Sequence, residues 1–141
     1  MTTQLHDSGE EFIIKYVFPD TVSKPANVDV GLYNDSSDSL SDGDGLGNIS
    51  TEPSSGNYSR QSISFGGSGF SAAQSGGDWQ ATNDSTVTFD VTNSSQTVDS
   101  YFVVVNYNSS DQLFFTGDLS QSRDLSQIDT LDVNVVGASL D

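Results

Sequence analysis

Cysteine and histidine, which form most nucleophilic catalytic sites, are nearly absent from this sequence, and its many carboxylates lie mostly in predicted turns. The chain has no cysteine, so thiol catalysis and thiolate metal sites are excluded. Its only histidine, His6, lies in a polar, acidic stretch that we expect to be flexible, so a Ser–His–Asp triad would depend on a mobile base. The glycine-rich segments at 42–47 and 65–69 lack the lysine of a phosphate-binding loop. We therefore expect a protein that is not an enzyme.

One acidic stretch carries the ligand type that calcium prefers. Asp38, Asp42 and Asp44 lie close together in a glycine-containing segment, and Ca²⁺ takes oxygen ligands from flexible loops. An EF-hand alignment fails, because it places Leu40 and Thr51 at positions that need ligands. Two interpretations stay open, a generic Ca²⁺ site and a solvated acidic loop, and the composition favours the second. No other cofactor is predicted.

Arg60 and Trp79 are the candidate structural or interface residues. Arg60 is one of four basic residues and lies in the middle of a predicted strand. It is either a surface residue on the polar face of that strand or a structural arginine that pairs two or more carboxylates, within the fold or across a subunit contact. The single tryptophan, Trp79, is expected in the core, because a lone tryptophan usually serves packing.

The charge of the chain narrows its partners. Twenty acids, seventeen of them aspartate, face four bases, and the formal net charge is −16. Nucleic-acid binding is excluded, because phosphate contacts need clustered lysine and arginine. Such a charge strains a fold in dilute buffer, but at about 1 M salt the screening length is only about 3 Å. The composition therefore favours a protein adapted to molar salt.

The pattern of apolar residues predicts an all-β fold. Short segments with strand periodicity alternate with Ser, Asn, Gly and Asp turns, and no stretch has the period of a long amphipathic helix. We predict one antiparallel β-sandwich or jelly-roll-like barrel over residues 11–141, after a flexible tail at 1–10 and with a long acidic loop at 34–56. The predicted strands cover residues 11–18, 28–33, 58–65, 85–91, 98–107, 113–116 and 128–136, with a glycine-rich link at 66–77.

Neither a membrane span nor a secretory signal is expected. No run approaches the 18 or so apolar residues of a membrane helix, and the N-terminal residues lack a basic and apolar leader.

The order of these segments resembles that of small virion structural proteins of tailed viruses. The similarity is carried by 28–35 (VDVGLYND), 49–53 (ISTEP), 58–62 (YSRQS), the aromatic strand 101–107, 113–119 (LFFTGDL) and the closing strand 129–136. The resemblance implies a head-decoration or turret protein, or a related minor head or tail component, of a haloarchaeal tailed virus. Such a protein would assemble in the host cytoplasm and lie on the outer surface of the head. The heavier aspartate load and the longer 34–56 loop depart from that pattern.

Two functions from different classes follow from these features. The first is a virion shell protein that forms a homo-oligomer, a trimer or pentamer, and docks on the major capsid protein or other virion proteins. The second is a calcium-dependent adhesion or carbohydrate-binding module of a haloarchaeal cell surface. The absence of a leader favours the first.

Overall fold

The computed structural model describes residues 3–140, with the side chains of 136 and 138–140 excepted. Within that range the chain forms ten strands, two α-helices and two 3₁₀ turns. The strands are β1 (Thr3–Leu5), β2 (Asn27–Tyr33), β3 (Gln61–Ser64), β4 (Phe70–Ser75), β5 (Asp78–Asn83), β6 (Val87–Asp90), β7 (Thr97–Tyr107), β8 (Ser110–Asp124), β9 (Thr130–Val133) and β10 (Val136–Leu140). The helices are α1 (Asp7–Val17) and α2 (Asp35–Asp38), and the 3₁₀ turns are Leu46–Asn48 and Leu125–Gln127.

The strands form antiparallel sheets that pack as a sandwich, so the predicted fold class is confirmed. The largest sheet has the order β1-β8-β7-β2-β3, the second has the order β10-β5-β4, and β6 pairs with β9. The main core lies between the sheets. It is built from alternate residues of β2 and β7, including Val30 and its cross-strand partner Val103, which are fully buried.

The long strand β7 is central, as its continuous apolar run predicted. It lies in the middle of the five-stranded sheet, and all of residues 101–105 are buried. Burial of consecutive residues requires cover on both faces of the sheet. The second face carries a smaller core, made of Tyr33, Phe102, Val104 and Leu113.

The 34–56 segment covers this second core. It contains α2 and a 3₁₀ turn, and three of its apolar side chains pack on the sheet: Leu40, Leu46 and Ile49. The predicted long acidic loop is therefore an ordered layer over one face of the sandwich.

Gly31 permits close packing on that face. It lies opposite Phe102 in the β2–β7 register, and a β-carbon at Gly31 would lie 2.2 Å from Cζ of the phenylalanine ring. The ring therefore lies across the backbone of β2, where any side chain larger than hydrogen would clash.

The predicted strand at 11–18 is wrong, because residues 7–17 form helix α1. β-branched and aromatic residues favoured a strand, but tertiary packing overrides that preference. Phe12 is buried, with its ring 5.3 Å from that of Tyr107 and 5.7 Å from that of Phe114. Helical spacing also stacks Phe12 on Tyr16, four residues on.

The prediction of a flexible tail is contradicted over residues 3–10. β1 pairs with β8, with Thr3 opposite Gly117 and Leu5 opposite Phe115, and α1 begins at Asp7. The reason is that the free edge of β8 at residues 115–117 offers β1 a partner strand, a pairing that local sequence does not report. Residues 1 and 2 of the predicted tail lie outside the described residues.

The predicted link at 66–77 contains most of a β-hairpin. β4 and β5 pair without a bulge from Phe70 opposite Asn83 to Ser75 opposite Asp78. Gly76 and Gly77 connect them with φ of +61° and +98°, as a two-residue hairpin turn requires. Further along the chain, the predicted strand at 128–136 is divided between β9 and β10.

Candidate interaction sites

The three aspartates of the predicted calcium loop are not gathered around one point. Asp38 directs its carboxylate to Ser50 and Thr51, and Asp44 accepts from the backbone N–H and the hydroxyl of Ser41, both at 2.8 Å. Asp42 contributes its backbone carbonyl to Asp7 N–H at 3.2 Å. Across residues 3–140, no group of three or more His, Cys, Asp or Glu residues is arranged to hold a metal ion. The carboxylates of Asp38 and Asp44 accept hydrogen bonds inside the loop, and a Ca²⁺ site on these residues stays a prediction.

Asp38 instead fastens the two ends of the acidic segment together. Its Oδ2 accepts from the backbone N–H groups of Ser50 and Thr51, both at 3.1 Å, and from the Thr51 hydroxyl at 2.7 Å. Its Oδ1 accepts from the Ser50 hydroxyl at 2.6 Å. Burial by itself would raise the pKa of Asp38, but these hydrogen bonds stabilise the carboxylate, and the net effect lowers its pKa.

Asp99 on β7 fastens the start of the same segment to the sheet. Its two oxygens accept from the backbone N–H groups of Asp35 and Ser36, at 2.7 and 3.1 Å. The hydroxyl of Ser36 donates to it at 2.5 Å and that of Ser100 at 3.0 Å. Burial opposes the charge, but the hydrogen bonds outweigh it, so the pKa of Asp99 is lowered.

Arg60 was predicted within a strand at 58–65. The observed strand β3 begins one residue later, at Gln61. The Nε and Nη2 of Arg60 donate to the two carboxylate oxygens of Glu52, each at 2.8 Å, in a bidentate pair. The arginine side chain is 31% exposed and that of the glutamate 25%. The hydrogen bond to Glu52 raises the pKa of Arg60. The observed ion pair involves one carboxylate, whereas the structural-arginine interpretation predicted two or more.

Two aromatic residues complete this cluster. The guanidinium carbon of Arg60 lies 5.0 Å from the centroid of the Phe102 ring, within cation–π range. The hydroxyl of Tyr58 donates to Glu52 at 3.0 Å and accepts from the backbone N–H of Leu32 at 2.9 Å. Burial raises the pKa of Tyr58. The cluster thus connects the end of the acidic segment to β2 and to the second core.

His6 is a core residue, contrary to its predicted place in a flexible tail. Its side chain is fully buried, and Nε2 lies 3.1 Å from the hydroxyl oxygen of Thr116 on β8. Nδ1 is buried without a hydrogen-bond partner among the described residues. The pairing of β1 with β8 brings the side chain there.

Trp79 was predicted to lie in the core, but its side chain is 59% exposed. It lies on β5, opposite Gln74 of β4, in a hairpin whose residues 71–77 are all exposed. The hairpin extends away from the main core, so a tryptophan on it is not covered by a second layer of the sandwich.

An apolar surface at the C-terminal end of α1 was not found from the sequence. Ile14, Val17 and Phe18 are 54%, 60% and 77% exposed. Their spacing of three and four residues places them on one side of the helix, and we call them the apolar helix end. This spacing was the available signal, but a predicted strand over the same residues obscured it. Exposed apolar surface of this kind marks contacts between proteins.

Comparison with known proteins identifies the class to which the chain belongs, the structural proteins of phage virions. The chain is a member of the family described as Podophage GP4 fiber I protein gp80, whose model matches residues 4–141. The resemblance to virion structural proteins is confirmed at this level, and the family points to a location in the virion. No curated protein and no solved structure matches the chain. No helix in the described part of the chain is long and apolar enough to cross a membrane.

Proposed function

We propose that the protein is a non-enzymatic subunit on the outer surface of the head of a haloarchaeal tailed virus. In this role it forms homo-oligomers and docks on the major capsid protein or on another virion protein. Family membership supports the virion role. The observation that carries the docking role is the apolar helix end, which exposes three large apolar side chains on a molecule of net charge −16.

The haloarchaeal host is proposed from charge. A surface with twenty acids and four bases is self-repelling in dilute buffer, and molar salt removes most of that repulsion. Many of the twenty carboxylates, such as Asp38 and Asp99, accept hydrogen bonds within the fold, but these hydrogen bonds leave their negative charge in place.

Docking through the apolar helix end follows from its composition. Burial of large apolar side chains stabilises association by roughly 1.5–3 kcal/mol for each one that is fully covered. Anchors of this kind supply most of the binding energy in protein interfaces. The surface also lies beside Lys15 of α1, whose ion pair with Glu11 neutralises one acid of the helix.

Cross-linking of purified virions tests the location. The chain has two lysines: Lys15 lies on α1 beside this surface, and Lys24 lies with its ammonium 5.2 Å from the centroid of the Phe65 ring. Amine-reactive cross-links should therefore join Lys15 and Lys24 to a head protein. Cross-links from both lysines to tail proteins alone would contradict the head placement while leaving the virion role intact.

Variants of the apolar helix end test the docking contact. Val17→Ser combined with Phe18→Ser should lower incorporation into virions by roughly tenfold or more, because the anchor residues are lost. Both side chains are exposed, so the melting temperature should be little changed. Thr130→Ser, at an exposed position on β9, serves as the control. Normal incorporation of the double variant would exclude this surface as the contact.

A further inference from the structure

The outer edge of β4 is an open strand edge. In the sheet β10-β5-β4 it lies at one end, and its other side has no strand partner among residues 3–140. With six residues, β4 is also the longest edge strand in that part of the chain. Residues 71–75 are all exposed and pair with β5 in a continuous register. Proteins usually protect such an edge with charges, proline or a bulge, and β4 has none of them.

The hairpin geometry indicates which backbone groups of β4 are available. A two-residue turn is closed by a hydrogen-bonded pair, here Ser75 with Asp78. Because antiparallel pairs alternate, Ala73 bonds inward to β5, while Ala72 and Gln74 direct their N–H and C=O groups outward. The edge therefore offers two donors and two acceptors to a further strand.

The charge distribution argues that this strand comes from a second copy of the chain. Between residues 61 and 83, Asp78 is the only charged residue, although the whole chain carries twenty acids. Two copies of net charge −16 repel one another at most approaches. The β4 edge is a strand edge at which two copies bring few carboxylates together: none lies on β4 itself, and the nearest are Asp78 and Asp84, whose carboxylate accepts from the hydroxyl of Ser71.

We propose that two copies of the chain pair antiparallel through their β4 strands, about a two-fold axis at Ala73. This arrangement places Ala72 of each copy opposite Gln74 of the other. The outward N–H and C=O groups of these two residues then form four backbone hydrogen bonds between the copies. At the axis the two Ala73 residues form a non-hydrogen-bonded pair about 4.5 Å apart, a spacing that small side chains fit. The result is a continuous six-stranded sheet.

The inference rests on the proposed function, in which the protein forms a homo-oligomer. It changes the symmetry expected for that oligomer. A trimer or pentamer was predicted from the sequence, whereas an isologous strand edge gives a two-fold pair. Trp79 lies on the same face of the hairpin as Gln74, its cross-strand partner. In the six-stranded sheet both tryptophans therefore lie on one face, near the new contact.

A proline variant tests the pairing by removing one outward donor. Ala72→Pro keeps the inward bonds of β4 to β5, because proline is tolerated on the free side of an edge strand. The wild-type protein should be a dimer by light scattering at about 2 M KCl, and Ala72→Pro should raise the dimer Kd by roughly tenfold or more. Ala72→Ser, which retains the N–H group, should remain a dimer.

A charge variant tests the position of the axis. Ala73→Asp places two carboxylates opposite one another, so at the lowest salt concentration at which the wild type is still a dimer it should raise the dimer Kd by roughly tenfold or more, whereas the near-isosteric Ala73→Asn should not. Hydrogen exchange gives a readout that needs no variant: the amides of Ala72 and Gln74 should exchange slowly only at concentrations where the dimer forms. A wild-type protein that is monomeric in molar salt at its highest attainable concentration would overturn the proposal.

These experiments separate the pairing from the proposed docking. If the β4 variants lose the dimer but still enter virions, the pairing stands and the docking surface lies elsewhere, as the apolar helix end requires. A dimer that persists in both Ala72→Pro and Ala73→Asp would show that another surface joins the copies.

Discussion

At the scale of single residues, Arg60 connects the most parts of the molecule. It pairs with Glu52 at the end of the acidic segment and lies over the Phe102 ring of the second core. The side chains are about a quarter to a third exposed, so the pair is neither a free surface pair nor a fully buried one. Its two charge-assisted hydrogen bonds and one cation–π contact set the magnitude that we expect for the contribution of Arg60 to the free energy of unfolding.

We predict that Arg60→Ala lowers the free energy of unfolding by about 2 kcal/mol, measured by urea denaturation in molar salt. Arg60→Lys should recover only part of this loss, because a lysine cannot form the bidentate pair. Combination with Glu52→Gln in a double-mutant cycle should give a coupling energy of about 1 kcal/mol or more.

Arg123→Ala is the matched control. This arginine lies in β8, beyond the predicted strand 113–116, and with the Gln121 amide turned towards it, the amide oxygen can accept from the guanidinium at 2.8 Å. Removal of the Arg123 side chain should lower the free energy of unfolding by about 0–1 kcal/mol. Equal, small losses in both alanine variants would contradict a structural role for Arg60.

At the scale of elements, the acidic segment 34–56 acts as a layer of the sandwich. Its apolar side chains lie on the second core. Several of its backbone N–H groups donate to the carboxylates of Asp38 and Asp99. Asp99 supports the first turn of α2 from β7, and Asp38 joins the end of α2 to Ser50 and Thr51. Asp38, one of the acids that suggested a metal site, thus helps to organise the loop through its hydrogen bonds.

The lowered pKa values of Asp38 and Asp99 predict a loss of stability in acid. A carboxyl whose pKa is lower in the folded state stabilises the fold above its unfolded pKa of about 3.9. That contribution is lost as the pH falls through the folded-state pKa. In molar salt, where the change in total charge is screened, the free energy of unfolding should therefore fall below about pH 4.

Asp99→Asn should remove part of this acid sensitivity and cost about 1–3 kcal/mol at neutral pH, because a neutral amide accepts more weakly. Asp129→Asn changes an exposed carboxylate and should cost less than about 0.5 kcal/mol. Identical pH profiles for the wild type and Asp99→Asn would exclude Asp99 as a source of the acid sensitivity.

At the scale of the whole molecule, charge governs the conditions under which the fold is stable. Among residues 3–140, 24 apolar side chains are buried in the cores of the sandwich, yet the chain carries a net charge of −16. The repulsion acts on the folded chain more than on an expanded one, so screening should favour the folded state.

We predict that the melting temperature rises by roughly 5–10 °C between about 0.1 and 2 M KCl. A variant with Asp42, Asp118 and Asp129 changed to asparagine should have a smaller dependence on salt, because it removes three exposed charges. An equal osmolality of sucrose controls for effects of excluded solute. A melting temperature independent of KCl would contradict adaptation to high salt.

Several parts of the fold could be predicted from local patterns. The alternation in 28–33 and the continuous apolar run in 98–107 predicted β2 and the central strand β7, which are observed at nearly those bounds. These predictions succeeded because strand periodicity and burial on two faces leave direct marks on the sequence. The Gly76-Gly77 turn left a comparable mark, but the hairpin around it was interpreted as a link.

Other features depend on contacts between distant residues. Helix α1 exists because Phe12 packs on Phe114 and Tyr107, about a hundred residues away. The segment β1 is a strand because it pairs with residues 115–117 of β8. Local preferences cannot report such partners, and short segments follow tertiary packing when the two conflict.

The sequence by itself determined the fold class and the acidic charge, because composition and periodicity are local properties, and its resemblance to virion structural proteins is confirmed at that level. Only the tertiary structure decided the placement of individual side chains. It separated Asp38, Asp42 and Asp44, buried His6, exposed Trp79, and left the apolar helix end open to solvent. The physical reason is that a side chain's exposure and partners depend on which strands pair and which layers cover them, and pairing over long sequence separations is fixed only when the whole chain packs.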